Sequence, residues 1–251
     1  MFNKADFSPE DSMYQHIDSI NKSIATMRSL VKDEVVHKTE SDFDLLRGQV
    51  DLFLQAQLRR ALMFLDGGKH ALDAGYGLIT LVCVRCIFES AACIHDFFNQ
   101  IIKHMESGEV MEAVRIAHQR SYAQKFEVKE RNNEHLDYTA VQILKQVDAM
   151  GKIVPGARRT YDQLSEVVHP NAFGSLLYFM QDERDGAFVF GKGHDHRELN
   201  GIFLEGARLF SLINDDILRF YGAIAKYWAD TLQTRIDEYD ARKRATQESS
   251  T

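Results

Sequence analysis

The feature that most constrains this sequence is an apolar segment, Leu78 to Phe98, which is as long as a membrane span. The segment also holds four charged or titratable residues: Arg85, Glu89, His95 and Asp96. Such groups are costly in hydrocarbon, so a membrane location is disfavoured. A helix that is apolar over most of its circumference is instead buried among other helices. We therefore predict a central core helix from about residue 71 to 105.

Helical periodicity continues along most of the chain. Only three prolines occur in 251 residues, and because proline disrupts helix interiors, this scarcity favours long helices. Residues 9–38 repeat apolar positions at alternating spacings of four and three, the seam along which one helix pairs with another. Further helices are predicted from Ser41-Asp42 to Gly67-Gly68, within 109–145 with a break near 131–133, from Ala157 to Val168, and from Arg197 to Arg244. The last of these is predicted to carry an Asp215–Arg219 ion pair.

Residues 173–190 differ from the rest, because two aromatic runs flank a polar turn that ends in glycine. This pattern predicts a β-hairpin or an extended loop. The fold class is therefore predicted to be all-α: a single-domain long-helix bundle with a small β-hairpin or extended excursion near 173–190. The helical domain is predicted to cover residues 1–245, and the polar residues 246–251 to form a disordered tail.

The net charge and the positions of the cysteines limit which functions and compartments are expected. A net charge of −7 does not support broad binding to nucleic acid, which needs a basic surface, although it leaves a local basic patch open. The N-terminus turns polar at once and predicts no secretory signal. The three cysteines all lie within the apolar segment, unlike a secreted disulfide framework. We expect a cytoplasmic protein without a membrane partner.

The polar residues that could carry chemistry lie on two predicted helices. An arginine and a glutamate four residues apart share a face of the central helix, and Tyr, Ser and His recur every four residues from position 161. The candidates are three catalytic residues, Arg85, Glu89 and His169, and three binding residues, Tyr161, Ser165 and Asn171. Because polar groups that face an apolar core need partners, we expect Arg85, Glu89 and either Tyr161 or His169 to form one network.

The same residues carry a resemblance. The motif R-x3-E at Arg85 and Glu89, with Y-x3-S-x3-H-P from Tyr161 to Pro170, resembles a bacterial family of all-helical proteins classed as a domain of unknown function. The resemblance covers roughly residues 60–175. It implies a helical fold and carries no established activity.

A more distant analogy is to the HEPN superfamily, helical bundles that include ribonucleases of toxin–antitoxin and phage-defence systems. Their motif places a histidine after an arginine with four to six residues between. Here Arg131 and His135 have three residues between them, and Arg159 and His169 have nine. The analogy therefore rests on the fold alone.

Two other patterns bear on metals and cofactors. Cys83-x2-Cys86 has the spacing of redox and zinc motifs, but the pair lies in the middle of an apolar helix without further ligands, which favours core cysteines. In His194-Asp195-His196, Asp195 is expected to cap the last helix. The sequence contains no common nucleotide-binding or metallohydrolase motif. We predict no metal and no cofactor.

Two classes of function remain open. The first is a non-enzymatic helical interaction or regulatory protein of a bacterial defence or toxin–antitoxin type system, in which the polar network is structural. The alternative is a HEPN-like ribonuclease or other hydrolase, with Glu89 and His169 as the acid–base pair and Arg85 as the anion contact. Self-association is predicted through helices near 9–38 and 228–244, unless these two helices pack on each other within one chain.

Overall fold

The computed structural model describes residues 1–10, 13–35, 42–122, 141–171, 174, 178–184, 187–191 and 196–248. Within these ranges the α-helices are α1 (Ile17–Ser29), α2 (Asp42–Asp73), α3 (Gly77–Glu106), α4 (Val110–Tyr122), α5 (Ile143–Met150), α6 (Ala157–Val168) and α7 (His196–Glu248). Two strands, β1 (Met180–Arg184) and β2 (Ala187–Phe190), pair antiparallel as a hairpin. The predicted all-α bundle with a small hairpin near 173–190 is confirmed.

The helix α3 lies at the centre of the bundle and packs against α2, α4, α5, α6 and α7. Two adjacent phenylalanines show how its circumference is covered. The ring of Phe97 stacks on Phe53 of α2 with centroids 4.0 Å apart, while Phe98 contacts Phe220 of α7 at 5.0 Å. By length and hydropathy α3 is the one described helix that could cross a bilayer, yet 61% of its most apolar window is buried inside the chain, as in a core helix.

The predicted end of α2 at Gly67-Gly68 is wrong, because the helix continues to Asp73. Gly68 allows α2 and α7 to pack closely, because a Cβ atom at this position would lie 2.5 Å from the ring of Phe203 on α7. The glycine that ends α2 is Gly75, whose φ of +78° few other residues tolerate. The amide after it donates to a carbonyl of the last turn at 2.7 Å, the usual glycine C-cap.

The first helix is much shorter than predicted. It begins at Ile17 rather than near residue 9 and ends at Ser29 rather than near residue 38, and residues 11–12 and 36–38 of the predicted range lie outside the described residues. Four seam residues are at most 1% exposed: Ile17, Ile20, Ile24 and Met27. The helix packs along α7, where the hydroxyls of Ser23 and Ser211 are 3.1 Å apart. The first helix is thus paired inside the chain with the part of α7 near Ser211, and its buried seam offers no free surface for a second copy.

The later elements follow the sequence closely. The helix α6 begins at Ala157 and ends at Val168, as predicted, two residues before Pro170. The helix α7 continues to Glu248, so 246–248, predicted to lie in a disordered tail, are helical. The single-domain division at residue 245 stays a prediction. The proposed break at 131–133, the Arg131/His135 pair and the Asp195 cap lie outside the described residues.

Candidate functional site

The candidate site forms where α6 crosses the polar face of α3. Arg85 and Glu89 lie one turn apart on α3, with Nε and Oε1 3.4 Å apart. The hydroxyl of Tyr161 on α6 donates to Glu89 Oε1 at 3.1 Å and accepts from Arg85 Nη2 at 3.3 Å. The Arg85 guanidinium also lies over the Tyr161 ring, 5.5 Å from its centroid. The predicted network of these three residues is confirmed, while their catalytic and binding roles stay predictions.

A fourth member, Arg60 of α2, was not predicted. Its Nη2 donates to Glu89 Oε2 at 3.2 Å and its Nη1 to the Ser90 hydroxyl at 2.8 Å. The guanidinium is held over the ring of Phe64, 5.2 Å from the centroid. No sequence signal pairs α2 with α3 at this point, because spacing within one helix does not reveal a partner on another. We call Arg60, Arg85, Glu89 and Tyr161 the Glu89 cluster.

The Glu89 cluster is half-buried and positively charged. One carboxylate lies between two guanidinium groups, which leaves one net positive charge. The exposed side-chain fractions are 20% for Glu89, 22% for Arg85 and 38% for Arg60. Burial acts to lower the pKa of Arg85, but the hydrogen bond with Tyr161 and the nearby charge of Glu89 outweigh it, so this pKa lies above its usual value. Both carboxylate oxygens of Glu89 are engaged, so the cluster is internally paired.

The structure does not bring His169 into this cluster. His169 is the first residue after α6 and has an extended backbone, so it leaves the helical stripe that Tyr161 defines. Its side chain is exposed and makes no ion pair with Glu89 among the described residues. The expected network therefore forms through Tyr161 and not through His169, while the roles of Glu89 and His169 as acid–base candidates stay predictions.

The two remaining candidates, Ser165 and Asn171, also lie outside the cluster. The hydroxyl of Ser165 is buried and has no hydrogen-bond partner among the residues that the structure describes. Asn171 instead holds the turn after α6: its Nδ2 donates to Glu166 at 2.7 Å, and its Oδ1 accepts the amide of Gly174 at 2.8 Å. Asn171 therefore has a local structural contact that explains its position without a ligand.

Further along α3, the polar stripe continues with contacts to α4 and α5. Arg120 of α4, 7% exposed, pairs with Asp96, and Gln146 of α5 lies 3.8 Å from the sulfur of Cys93. Burial raises the thiol pKa of Cys93, as it does for the other two cysteines. Protonated thiols are poor nucleophiles and poor metal ligands. In the described part of the chain, no group of three or more His, Cys, Asp or Glu side chains could hold a metal ion.

A second polar group, which the sequence did not predict, joins α3 to α7. His95 and Asp216 are 2% and 1% exposed, with Nδ1 and Oδ2 2.8 Å apart. Arg219 can only donate, and its Nη1 donates to Oδ1 of both Asp216 (3.2 Å) and Asn99 (3.3 Å). The Asn99 amide nitrogen therefore faces His95 Nε2 at 2.8 Å, which makes Nε2 the acceptor and places the ring proton on Nδ1.

This His95 group also corrects the predicted Asp215–Arg219 ion pair, because the arginine pairs with Asp216 instead. Every member has a hydrogen-bond partner, and neither ring nitrogen of His95 is free for proton transfer to a ligand. One feature of the sequence does indicate the His95 group. A titratable histidine within an apolar helix requires a buried hydrogen-bond partner.

The fold and the two polar groups define a helical bundle whose buried charges are paired between helices. No protein-family model, curated protein or solved structure matches this chain. The resemblance to the domain of unknown function and the HEPN analogy accordingly stay predictions.

Proposed function

We propose that this chain is a non-enzymatic helical interaction protein that acts through self-association. The observation that supports this most directly is the pairing of Glu89. Its two oxygens are engaged by Arg60, Arg85 and Tyr161, and the candidate His169 is exposed after the end of α6. A carboxylate whose two oxygens both have partners within the chain is placed to hold helices together.

The cluster has a structural part in this function. It ties α2 and α6 to the central helix at one level, and so fixes the frame from which α7 extends. Phe220 is the last buried residue of the described part of α7, and the helix continues about 28 residues further, roughly 42 Å at 1.5 Å per residue. We assign self-association to this extension, which contains the predicted region 228–244.

We place the protein in the bacterial cytoplasm, in a defence or toxin–antitoxin type system. The bacterial setting follows from the sequence resemblance, the type of system from the HEPN analogy, and the cytoplasm from three cysteines that lie in one apolar helix, unlike a secreted disulfide framework. The net charge of −7 supports a protein partner over nucleic acid.

The alternative function, a HEPN-like ribonuclease or other hydrolase, draws on one feature of the cluster. Arg60 and Arg85 reach the surface beside each other with a net positive charge, an arrangement able to contact a phosphate. The cluster lacks a histidine or a free carboxylate to move a proton, so the non-enzymatic function is the better supported.

An RNA-cleavage assay separates the two functions. The wild-type chain and the Glu89→Gln variant are incubated with end-labelled single-stranded RNA and with a chromogenic phosphodiester. We expect no turnover by either. Glu112→Gln is the matched control, because Glu112 is an exposed α4 residue whose partner is Arg115. Cleavage by the wild type and the control, but not by Glu89→Gln, would show that the chain is an enzyme.

A further inference from the structure

The helix α7 carries an apolar stripe that continues past the end of the bundle. The stripe residues are Leu218, Tyr221, Ala225, Trp228, Leu232, Ile236 and Tyr239. On a helix that turns 100° per residue, all seven positions fall within about 40° of a line through Leu232. We call this set the α7 stripe.

The described beginning of the α7 stripe is only partly covered by the bundle. Leu218 is 61% exposed. Tyr221 is 39% exposed, and burial beside Asp51 of α2 raises the pKa of its hydroxyl. Ile217 and Phe220, on the adjacent face, are each 2% exposed. Ala225 is also exposed. The helix therefore has two apolar faces at this level, one packed within the chain and one turned outward. An outward seam with spacings of three and four is the kind of surface that another helix covers.

Five positions of the stripe, from Ala225 to Tyr239, are spaced symmetrically about Leu232. Ala225 and Tyr239 lie seven residues away on either side, and Trp228 and Ile236 lie four residues away. We propose that two copies of the chain pair through their α7 stripes, antiparallel, with the two-fold axis at Leu232. This proposal rests on the proposed function and names its partner. A two-fold interface brings the same patch of both copies together, which is what a symmetric spacing permits.

Side-chain size favours the antiparallel arrangement. With the axis at Leu232, the small Ala225 faces the large Tyr239 of the other copy, and Trp228 faces Ile236. A parallel pair would instead set Trp228 against Trp228 and Ala225 against Ala225, which crowds one layer and leaves a gap in another. Close packing of a helix pair requires layers of similar volume, so the parallel pair is disfavoured.

The bundles leave room for this pairing. Leu232 is about 12 residues past Phe220, or roughly 18 Å along the helix. In an antiparallel pair the Phe220 positions of the two copies are then about 36 Å apart along the helix axis, on opposite sides of the two-fold axis. The helical segments between the bundles can therefore meet along several turns without contact between the bundles.

Light scattering on the full chain tests the pairing. We expect a mass of about 58 kDa at micromolar concentration, twice the 28.8 kDa of one chain. Leu232→Asp places two like charges at the axis and should halve this mass, while most of the helical circular dichroism, which comes from the bundle, is retained. Thr234→Asp is the control, because the exposed Thr234 lies on the opposite side of the helix and should leave the mass unchanged. A wild-type mass near 29 kDa, or a Leu232→Asp dimer, overturns the proposal.

Disulfide formation tests the direction. Ala225→Cys and Tyr239→Cys chains are oxidised separately and as a mixture, with the wild-type chain reporting the background from its three cysteines. In the antiparallel pair the cross-link forms in the mixture, because equal positions are about 21 Å apart across the axis. A cross-link between two Ala225→Cys chains overturns the antiparallel arrangement, and no cross-link in a 58 kDa dimer overturns the stripe as the interface. A monomer would overturn self-association and this pairing with it, whereas a dimer that persists in Leu232→Asp would overturn the α7 stripe and leave self-association standing. RNA cleavage that depends on Glu89 would instead remove the non-enzymatic function and leave the pairing intact.

Discussion

At the scale of single residues, Glu89 links the most elements. It accepts hydrogen bonds from Arg60 on α2 and Tyr161 on α6, and it forms an ion pair with Arg85 on its own helix α3. Removing one partner of a buried charge network leaves the other charges without compensation, at a cost of about 3–5 kcal/mol when burial is complete. Because these side chains are 20–38% exposed, water compensates part of that loss.

We expect Glu89→Ala to lower the free energy of unfolding by about 1–3 kcal/mol, since two arginines lose their shared partner. Urea denaturation followed by circular dichroism measures it. Glu112→Ala, which removes an exposed i,i+3 pair with Arg115, should cost less than about 0.5 kcal/mol. Equal effects of the two substitutions would contradict a structural role for the cluster.

The two neighbouring aspartates of α7 give a second matched pair. Asp216 is 1% exposed and pairs with His95 and Arg219, whereas Asp215 is exposed. Asp216→Asn should destabilise by about 1–3 kcal/mol, because an amide satisfies the two donors less well than a carboxylate. Asp215→Asn should change stability by less than about 0.5 kcal/mol. Chemical denaturation of both variants measures the two changes in the free energy of unfolding. A larger change for Asp215→Asn than for Asp216→Asn would refute the pairing.

Residue spacing predicted three of the four members of the Glu89 cluster. Arg85 and Glu89 are four apart on one helix, and Tyr161 falls on the inward stripe of a helix whose ends the sequence marks with Gly156 and Pro170. The fourth member, Arg60, could not be found this way, and neither could Asp216 of the His95 group. Both lie on other helices, and spacing within one helix does not reveal which residues of another helix pack beside it. His169, the alternative to Tyr161, lies outside the cluster because the helix ends before it, so a four-residue spacing no longer keeps it on the same face.

At the scale of elements, the glycines of α2 show that one residue type serves two purposes. The sequence predicts that α2 ends at Gly67-Gly68, but the helix continues through both glycines. Gly75 supplies the residue with left-handed backbone conformation at the end of the helix. The distinction lies in what surrounds each glycine. A Cβ at Gly68 would meet the Phe203 ring at 2.5 Å, while nothing lies within 4 Å of one at Gly67.

This contrast predicts opposite effects of the same substitution. Gly68→Ala should lower stability by about 1–3 kcal/mol, because α7 or Phe203 must shift to make room. Gly67→Ala should raise it by about 0.5–1 kcal/mol, since alanine is the better helix former and meets no neighbour. Thermal unfolding of both variants measures the difference. A gain in stability for Gly68→Ala would mean that α2 and α7 do not approach as closely as described.

At the scale of the whole molecule, the apolar circumference of α3 was enough to predict a helical bundle, because a helix apolar on most sides must be surrounded. The seam of the first helix was enough to predict a helical partner but not whose helix it was. The partner is α7 of the same chain. Sequence alone could not separate these cases, since a heptad seam looks the same whether its partner lies within the chain or in another copy.

The last prediction concerns where the molecule is most stable. The helix α3 and the part of α7 up to Phe220 are held by the core, so their amides should exchange with solvent only through global unfolding. Beyond Phe220 only the partly buried Ala223, Ile224 and Tyr227 still pack against the core. The helix continues about 21 residues past Tyr227, and a helix of this length without packing is only marginally stable in water. Its amides should therefore exchange much faster in dilute solution than at high concentration, where the α7 stripes pair. Hydrogen exchange with mass spectrometry at two protein concentrations, about 100-fold apart, measures this. Protection of α3 should not change with concentration and serves as the internal control, and equal protection of residues 228–248 at both concentrations would contradict the prediction.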